Sequence, residues 1–326
     1  MSGCAVKWVM LAAVIGSIVL AAGSRSTSAL AQDSPQTTFR SSASAVAVDV
    51  SVRDRSRRAI TGLAAADFQV FDNGVLQKVD QVTYGKLPID VTVALDVSYS
   101  VTGALLDRLR RGVVQLMRDL GPQDRLKLVL FNMRVDRTVD YTANIEAVER
   151  AIREAAAGGG TALLDALSVS LVSAWAPDRR QLIVVFTDGN DSSSTTTPEM
   201  LTQVAQRTRA TLTFVVPSSA APFPGFSTID AMGRMVVTAS QLKRASLPPL
   251  YGTFSTLAKE TGGAVLPVGP NTDLSTAFRN ILRDFRSAYV LYYTARGVEG
   301  AGYHAIDVKV NREGAQVQAR RGYFGS

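Results

Sequence analysis

At 326 residues the chain is long enough for one or two domains with a sizeable core, and its 46% apolar and 19% charged residues are the balance of a globular protein. The formal charge of +7 is spread along the chain without a long Lys/Arg block, which argues against nucleic acid as a partner. A single cysteine, Cys4, excludes a disulfide framework, so the fold must rest on its core.

Lys7, the apolar stretch Trp8 to Ala22 and the small residues Ala29-Leu30-Ala31 read as a secretory signal peptide over 1–31, cleaved before Gln32. An uncleaved membrane anchor is the competing reading, but the apolar run is shorter than the ~20 residues that span a bilayer. Cys4 lies ahead of that run, badly placed for a lipid anchor, and leaves with it. Cleavage also removes Lys7 and Arg25, taking the charge from +7 to +5. The expected location is therefore exported (periplasm, cell surface or medium), with no stable membrane span after cleavage.

Residues 32–44 are polar and Ser/Thr-rich, a flexible leader. An N-terminal β segment over 45–87 follows. Ala45 to Val52 alternates with Val46, Val48, Val50 and Val52 on one face, and Asp72-Asn73-Gly74 joins two strand patterns as a hairpin. This segment is too short to bury a core alone. From residue 88 to 286 the pattern changes to strands alternating with helices. Strands are expected at 90–95, 126–131, 182–186, 211–216 and 264–268, with Val135 to Tyr141 pairing antiparallel at an edge. Helices fall between them, the last marked by Leu274, Phe278, Ile281, Leu282 and Phe285. The fold class is α/β, a doubly wound and mostly parallel sheet. Three further β patterns, Ala288–Thr294, His304–Val310 and Ala315–Arg321, close the chain as a C-terminal β segment over 287–326.

Sheets of this kind bind ligands outside the carboxyl ends of their strands. Asp96-Val97-Ser98-Tyr99-Ser100 sits there, directly after a buried strand, and offers one carboxylate and two hydroxyls at i, i+2 and i+4. All three are oxygen donors, suited to a hard cation. Two later stretches join them: Thr161 in Gly158-Gly159-Gly160-Thr161, and Asp188 in Thr187-Asp188-Gly189 after another apolar strand. Each has a plain alternative. Ser98, Ser100 or Thr161 would cap a following helix, and Asp188-Gly189 would be only a turn.

In this order the five residues resemble the metal-ion-dependent adhesion site of von Willebrand factor type A domains, over about residues 88–286. The flanks Thr61-Gly62-Leu63, Asp67-Phe68 and Arg320-Arg321-Gly322-Tyr323-Phe324 are similar to an exported bacterial group, the VWFA-related domain proteins. The resemblance implies that Ser98, Ser100 and Thr161 ligate Mg2+ through their hydroxyls while Asp96 and Asp188 act mainly through water. Mn2+ and Ca2+ stay open as substitutes. It further implies a binding module and not an enzyme: a protein or peptide partner, with a glycan also open, would bring an Asp or Glu to the ion.

Two rival readings stand beside it. In one the metal is a stabilising strut in a structural envelope protein. In the other the chain is a phosphohydrolase of the haloacid dehalogenase type, but that chemistry wants a carboxylate two residues after Asp96, where Ser98 stands. No Gly-x-Ser-x-Gly elbow or Walker-type Gly-Lys-Ser/Thr is present, and the lone His304 lies far along the chain as a strand residue.

Three structural expectations complete the reading. Residues 45–87 and 287–326 combine into one β-sandwich with the A domain inserted. The last helix runs into the sandwich and could transmit metal-site binding to it. The Pro-rich stretch 217–250, with Phe223, Phe226, Arg234, Lys243 and Arg244, leaves from the metal edge and either contacts an acidic partner or is uninvolved.

Overall fold

The computed structural model describes residues 45–101, 103–173, 176, 178–217, 226–227, 236–237, 250–269 and 271–325. The expected signal peptide and leader lie outside the described residues. So does the stretch 217–250, apart from its first and last residues and two short strands, β10 (Phe226–Ser227) and β11 (Val236–Val237), which pair antiparallel.

The centre is a six-stranded sheet of β5 (Ile89–Asp96), β6 (Arg125–Phe131), β7 (Val135–Thr142), β8 (Arg180–Phe186), β9 (Thr211–Pro217) and β12 (Ala264–Val268). Its order is β12-β9-β8-β5-β6-β7, parallel throughout except for β7, which pairs antiparallel with β6 at the edge. Every residue of β5 and β8 is buried, which explains their continuous apolar runs: both faces are covered. On one face lie α1 (Gly103–Arg118), α2 (Ile145–Glu154) and α6 (Leu274–Arg286), packed on Val91, Val93 and Leu95. On the other lie α3 (Leu163–Val172), α4 (Pro198–Arg207) and α5 (Tyr251–Thr261), packed on Ala94, Ile183 and Val185. The chain winds from β5 outward to β7, then returns through β8 to build the other half. The strand order therefore reverses between β5 and β8, where a crevice opens at the carboxyl edge.

The flanking strands form two four-stranded sheets. One has the order β15-β1-β13-β4, with β1 (Ala45–Arg53), β4 (Val79–Tyr84), β13 (Tyr289–Thr294) and β15 (Gln316–Ala319). The other runs β16-β14-β2-β3, with β2 (Phe68–Asp72), β3 (Val75–Gln77), β14 (Gly302–Val310) and β16 (Gly322–Gly325). Each sheet mixes strands from before and after the α/β region. Val48, Val50, Val52, Phe68, Val70, Tyr289, Leu291, Tyr293, Ile306 and Val308 share one apolar core between the sheets.

The sequence pattern suggested three strands on each side of the α/β region; there are four. The run 75–83 breaks at Lys78, so β3 stays with β2 while β4 crosses to β13. The expected run 315–321 is realised as β15 alone, and β16 follows beyond its end, after Arg320 and Arg321. Alternation of side chains persists through such a crossing, so periodicity alone shows one strand where tertiary pairing makes two.

Between the sheets, Asp72 gathers a polar cluster. It accepts hydrogen bonds from Tyr293 Oη at 2.8 Å and Tyr323 Oη at 2.9 Å, and lies 2.8 Å from His304 Nδ1. His304 is buried here, stacked on Tyr323. These two sheets meet the α/β region through Arg180–Asp49, Arg53–Asp284 and the buried Arg320. The Arg320 guanidinium donates to Gly322 O, Thr208 O and Gln206 O, and so caps the carboxyl end of α4.

Candidate functional site

Asp96 is the last residue of β5 and is fully buried. Its Oδ1 accepts from Ser98 N at 2.9 Å and its Oδ2 from Thr187 Oγ1 at 3.0 Å. The first bond folds the chain sharply after β5 and brings Ser98 Oγ to 3.1 Å from Ser100 Oγ. The second ties the end of β5 to the end of β8. Asp188 follows Thr187, so both carboxylates stand at the β5/β8 crevice on neighbouring strands.

Thr161 arrives from the opposite bank. Tyr99 N donates to Gly159 O at 3.2 Å and Gly158 N to Val97 O at 2.8 Å, so the glycine stretch lies along the Asp96–Ser100 loop. Gly158 and Gly159 have φ of +159° and +79°, and Gly159 in particular occupies the left-handed region that glycine tolerates. A Cβ on Gly160 would sit 2.6 Å from Ser192 Oγ and 2.8 Å from Ser193 Oγ, so a larger residue would displace both hydroxyls.

One of the plain alternatives is decided. Thr161 does not cap α3, whose N-cap is Ala162 with no side-chain bond. The first amides of α3 are taken instead by Asp191 Oδ2 (from Leu164 N, 2.9 Å) and Ser194 Oγ (from Asp165 N, 3.1 Å). Among the described residues no amide of α1 bonds to the Ser98 or Ser100 hydroxyl; those two bond to each other. The third alternative is partly realised, because Asp188 accepts from Asn190 N at 3.0 Å and Asn190 Nδ2 at 2.9 Å in a local turn.

Electrostatics single out Asp96. Burial pushes its carboxyl up to about 6 from 3.8; hydrogen bonds from Ser98 and Thr187 work against this, and repulsion from Asp188 adds to it. Two other deeply buried acids have a cationic partner, Asp90 in Arg125 and Arg179 and Asp124 in Arg286, while Asp72 is held by Tyr293, Tyr323 and the His304 ring. Among the described residues no Lys or Arg pairs with Asp96 or Asp188. A buried carboxylate without a counter-charge is costly, and a cation at this crevice would supply one. No cluster of three His, Cys, Asp or Glu exists among the described residues. The candidate residues offer two carboxylates and three hydroxyls, a chemistry that suits a hard divalent cation.

Residues that periodicity did not single out also shape the crevice. Asp191, Ser192, Ser193 and Ser194 brace Thr161 and α3: Ser192 N and Ser193 N donate to Thr161 O at 2.8 and 3.0 Å, and Thr161 N to Ser192 Oγ at 3.0 Å. The run of hydroxyl residues after Asp188 was visible in the sequence but carries no period. Asn132, beside the site through Ala162 N to Asn132 O, has a buried Oδ1 without a partner among the described residues.

Residues 90–243 match the family model of the von Willebrand factor type A domain. They form a von Willebrand factor type A domain. Such domains typically mediate protein–protein interaction and adhesion and are generally non-enzymatic. The chain is 26% identical over 161 residues to inter-alpha-trypsin inhibitor heavy chain H4 of Sus scrofa, a match covering 46% of this chain and 17% of that protein. It thus spans less than a fifth of the length of the curated relatives it matches. Among solved structures it is similar to BatB from Bacteroides thetaiotaomicron, with 19% identity, TM-score 0.44 and coverage of 60% of this chain and 98% of that one. It is also similar to a von Willebrand factor type A protein from Catenulispora acidiphila, with 12% identity, TM-score 0.47 and coverage of 88% and 75%. No helix among the described residues is long and apolar enough to cross a membrane.

Proposed function

We propose that this A domain is an exported binding module whose crevice holds a divalent cation and engages an acidic side chain of a protein partner. Asp96, Ser98, Ser100, Thr161 and Asp188 would hold the ion, with Mg2+ the first choice and Mn2+ or Ca2+ the substitutes. The observation that carries this reading is the fully buried Asp96 carboxylate, which has only hydroxyl and amide donors, next to the Ser98–Ser100 hydroxyl pair. When bound, the cation supplies a Lewis-acidic docking point for an Asp or Glu carboxylate. The chain's own residues do the rest. The Asp96–Ser98 bond fixes the loop, Thr187 joins the two strand ends, and Ser192 holds the Thr161 backbone in place. Neutral hydroxyls neutralise less of an ion's charge than carboxylates would, so the set favours retention of an electrophilic face.

Titration calorimetry of the purified chain with MgCl2, MnCl2 and CaCl2 tests the metal centre. Uptake of one ion, abolished in Asp96→Ala, is the expected result; absence of uptake for all three ions refutes it. Pull-down from envelope extract with Mg2+, with chelator and with the variant then tests adhesion. Capture lost in both the chelator and variant arms supports the reading, while capture indifferent to both overturns the adhesive role.

A further inference from the structure

We infer a second binding surface, in which a groove over α1 and α2 takes an acidic peptide segment with interspersed apolar residues. The groove has a volume of about 510 Å³ and is lined chiefly by Arg110, Arg111, Arg118 and Arg153, with Val114 and Ile152 between them. Glu149 is the one acid on its lining, so the surface carries three net positive charges. Positions 110, 114 and 118 repeat every fourth residue, which sets two guanidiniums and a valine along one stripe of α1.

Three features mark these cations as incompletely used. Arg111 and Arg153 are exposed, and neither has a hydrogen-bond or ion-pair partner among the described residues. Arg118 reaches Glu149 only at 3.5 Å across an exposed surface, where such a pair contributes little. Arg110 donates from Nη1 to Asp107 and from Nη2 to Ala155 O, yet its Nε is buried with no acceptor. A buried donor without an acceptor is costly. Planar guanidiniums match carboxylates in a two-bond fork, which an ammonium cannot offer.

The aliphatic floor selects the class of ligand. Ile152 is buried and Val114 half-buried, so the space between the arginines favours an apolar side chain over a sugar hydroxyl. The matching chemistry is a peptide alternating Asp or Glu with Leu, Ile or Val. This surface belongs to α1 and α2 and needs no cation, so it stands or falls separately from the metal centre.

The test uses the full chain and a fluorescein-labelled peptide of alternating Glu and Leu, followed by anisotropy in EDTA. Binding that persists in EDTA and weakens about tenfold or more in Arg111→Glu/Arg153→Glu is the expected result. Arg312→Glu, an exposed reversal on the sandwich, should leave it unchanged. Equal weakening by Arg312→Glu would overturn the proposal in favour of net charge alone, and loss of binding in EDTA would overturn it by moving the peptide to the metal edge. A polyglutamate probe bound as tightly as the Glu/Leu peptide, or displacement by a polysulfated glycan at lower concentration than by unlabelled peptide, would overturn the assignment to an amphipathic acidic segment. Both charge-reversal variants must give wild-type urea midpoints for the comparison, and the single Arg153→Glu serves if the double variant does not.

Discussion

Replacing Asp96 by Asn should stabilise the metal-free protein while abolishing its response to Mg2+. With its carboxyl raised to about 6 from 3.8 in the folded chain, Asp96 costs the metal-free fold on the order of 3 kcal/mol at neutral pH. The sign follows from linkage. The folded state binds this proton more tightly than the unfolded chain, so stability falls as pH rises from about 3.8 through about 6 and stays low above. Asn carries no charge and keeps an oxygen for Ser98 N. Thr187 Oγ1 would lose its acceptor, which returns about 1 kcal/mol, leaving a net gain of about 2 kcal/mol at pH 7.5. Urea unfolding in EDTA at pH 4, 5.5 and 7.5 measures this. The gap between variant and wild type should grow with pH across that range. Saturating Mg2+ should reverse the order, because only the wild type gains the RT ln(1 + [L]/Kd) of ligand stabilisation. A variant less stable than wild type in EDTA at every pH would refute the argument that Asp96 is an uncompensated buried charge.

Asp90→Asn should behave in the opposite way. Burial raises its carboxyl, but hydrogen bonds and charge from Arg125 and Arg179 outweigh this and hold it below 3.8. Its contribution is present above 3.8 and lost as pH falls through the depressed value, so the variant should be less stable than wild type at pH 7 with the deficit shrinking in acid, read from urea midpoints. Arg320→Met should cost about 3 kcal/mol or more by leaving Gln206, Thr208 and Gly322 carbonyls without their donor, and thermal unfolding would register it. Deletion of residues 288–326 should expose 45–84 to protease, because β13, β14 and β15 supply the partners of β1, β2 and β4; retained resistance would contradict a shared core. Gly112→Ala should cost about 1–3 kcal/mol in a urea titration, since its Cβ would lie 2.7 Å from the buried Phe278 ring between α1 and α6.

Much of the A domain was legible because its signals are local. Two-sided burial writes β5 and β8 as unbroken apolar runs, and α6 shows its buried face at Leu274, Phe278, Ile281, Leu282 and Phe285. The carboxyl-edge placement of Asp96 and Asp188 followed from strand ends alone. In α1, Leu106, Leu109, Val113, Leu116 and Met117 form the packed face, while the neighbouring Leu105 is only partly buried. Neighbouring positions on a helix differ by a hundred degrees, so packing decides which of them turns fully inward.

By itself the sequence determined the alternation of strand and helix and the edge on which the ends of β5 and β8 bring Asp96 and Asp188, because each of these signals lies within a few positions of the chain. Only the tertiary structure decided the rest. Asp191 and Ser194, not Thr161, serve the start of α3; β3 and β4 part at Lys78; His304 is enclosed with Asp72; and Arg320 caps a helix more than a hundred residues earlier. Those are pairings between distant segments, and a hydrogen bond or a buried charge leaves no period in the chain until folding brings its partner alongside.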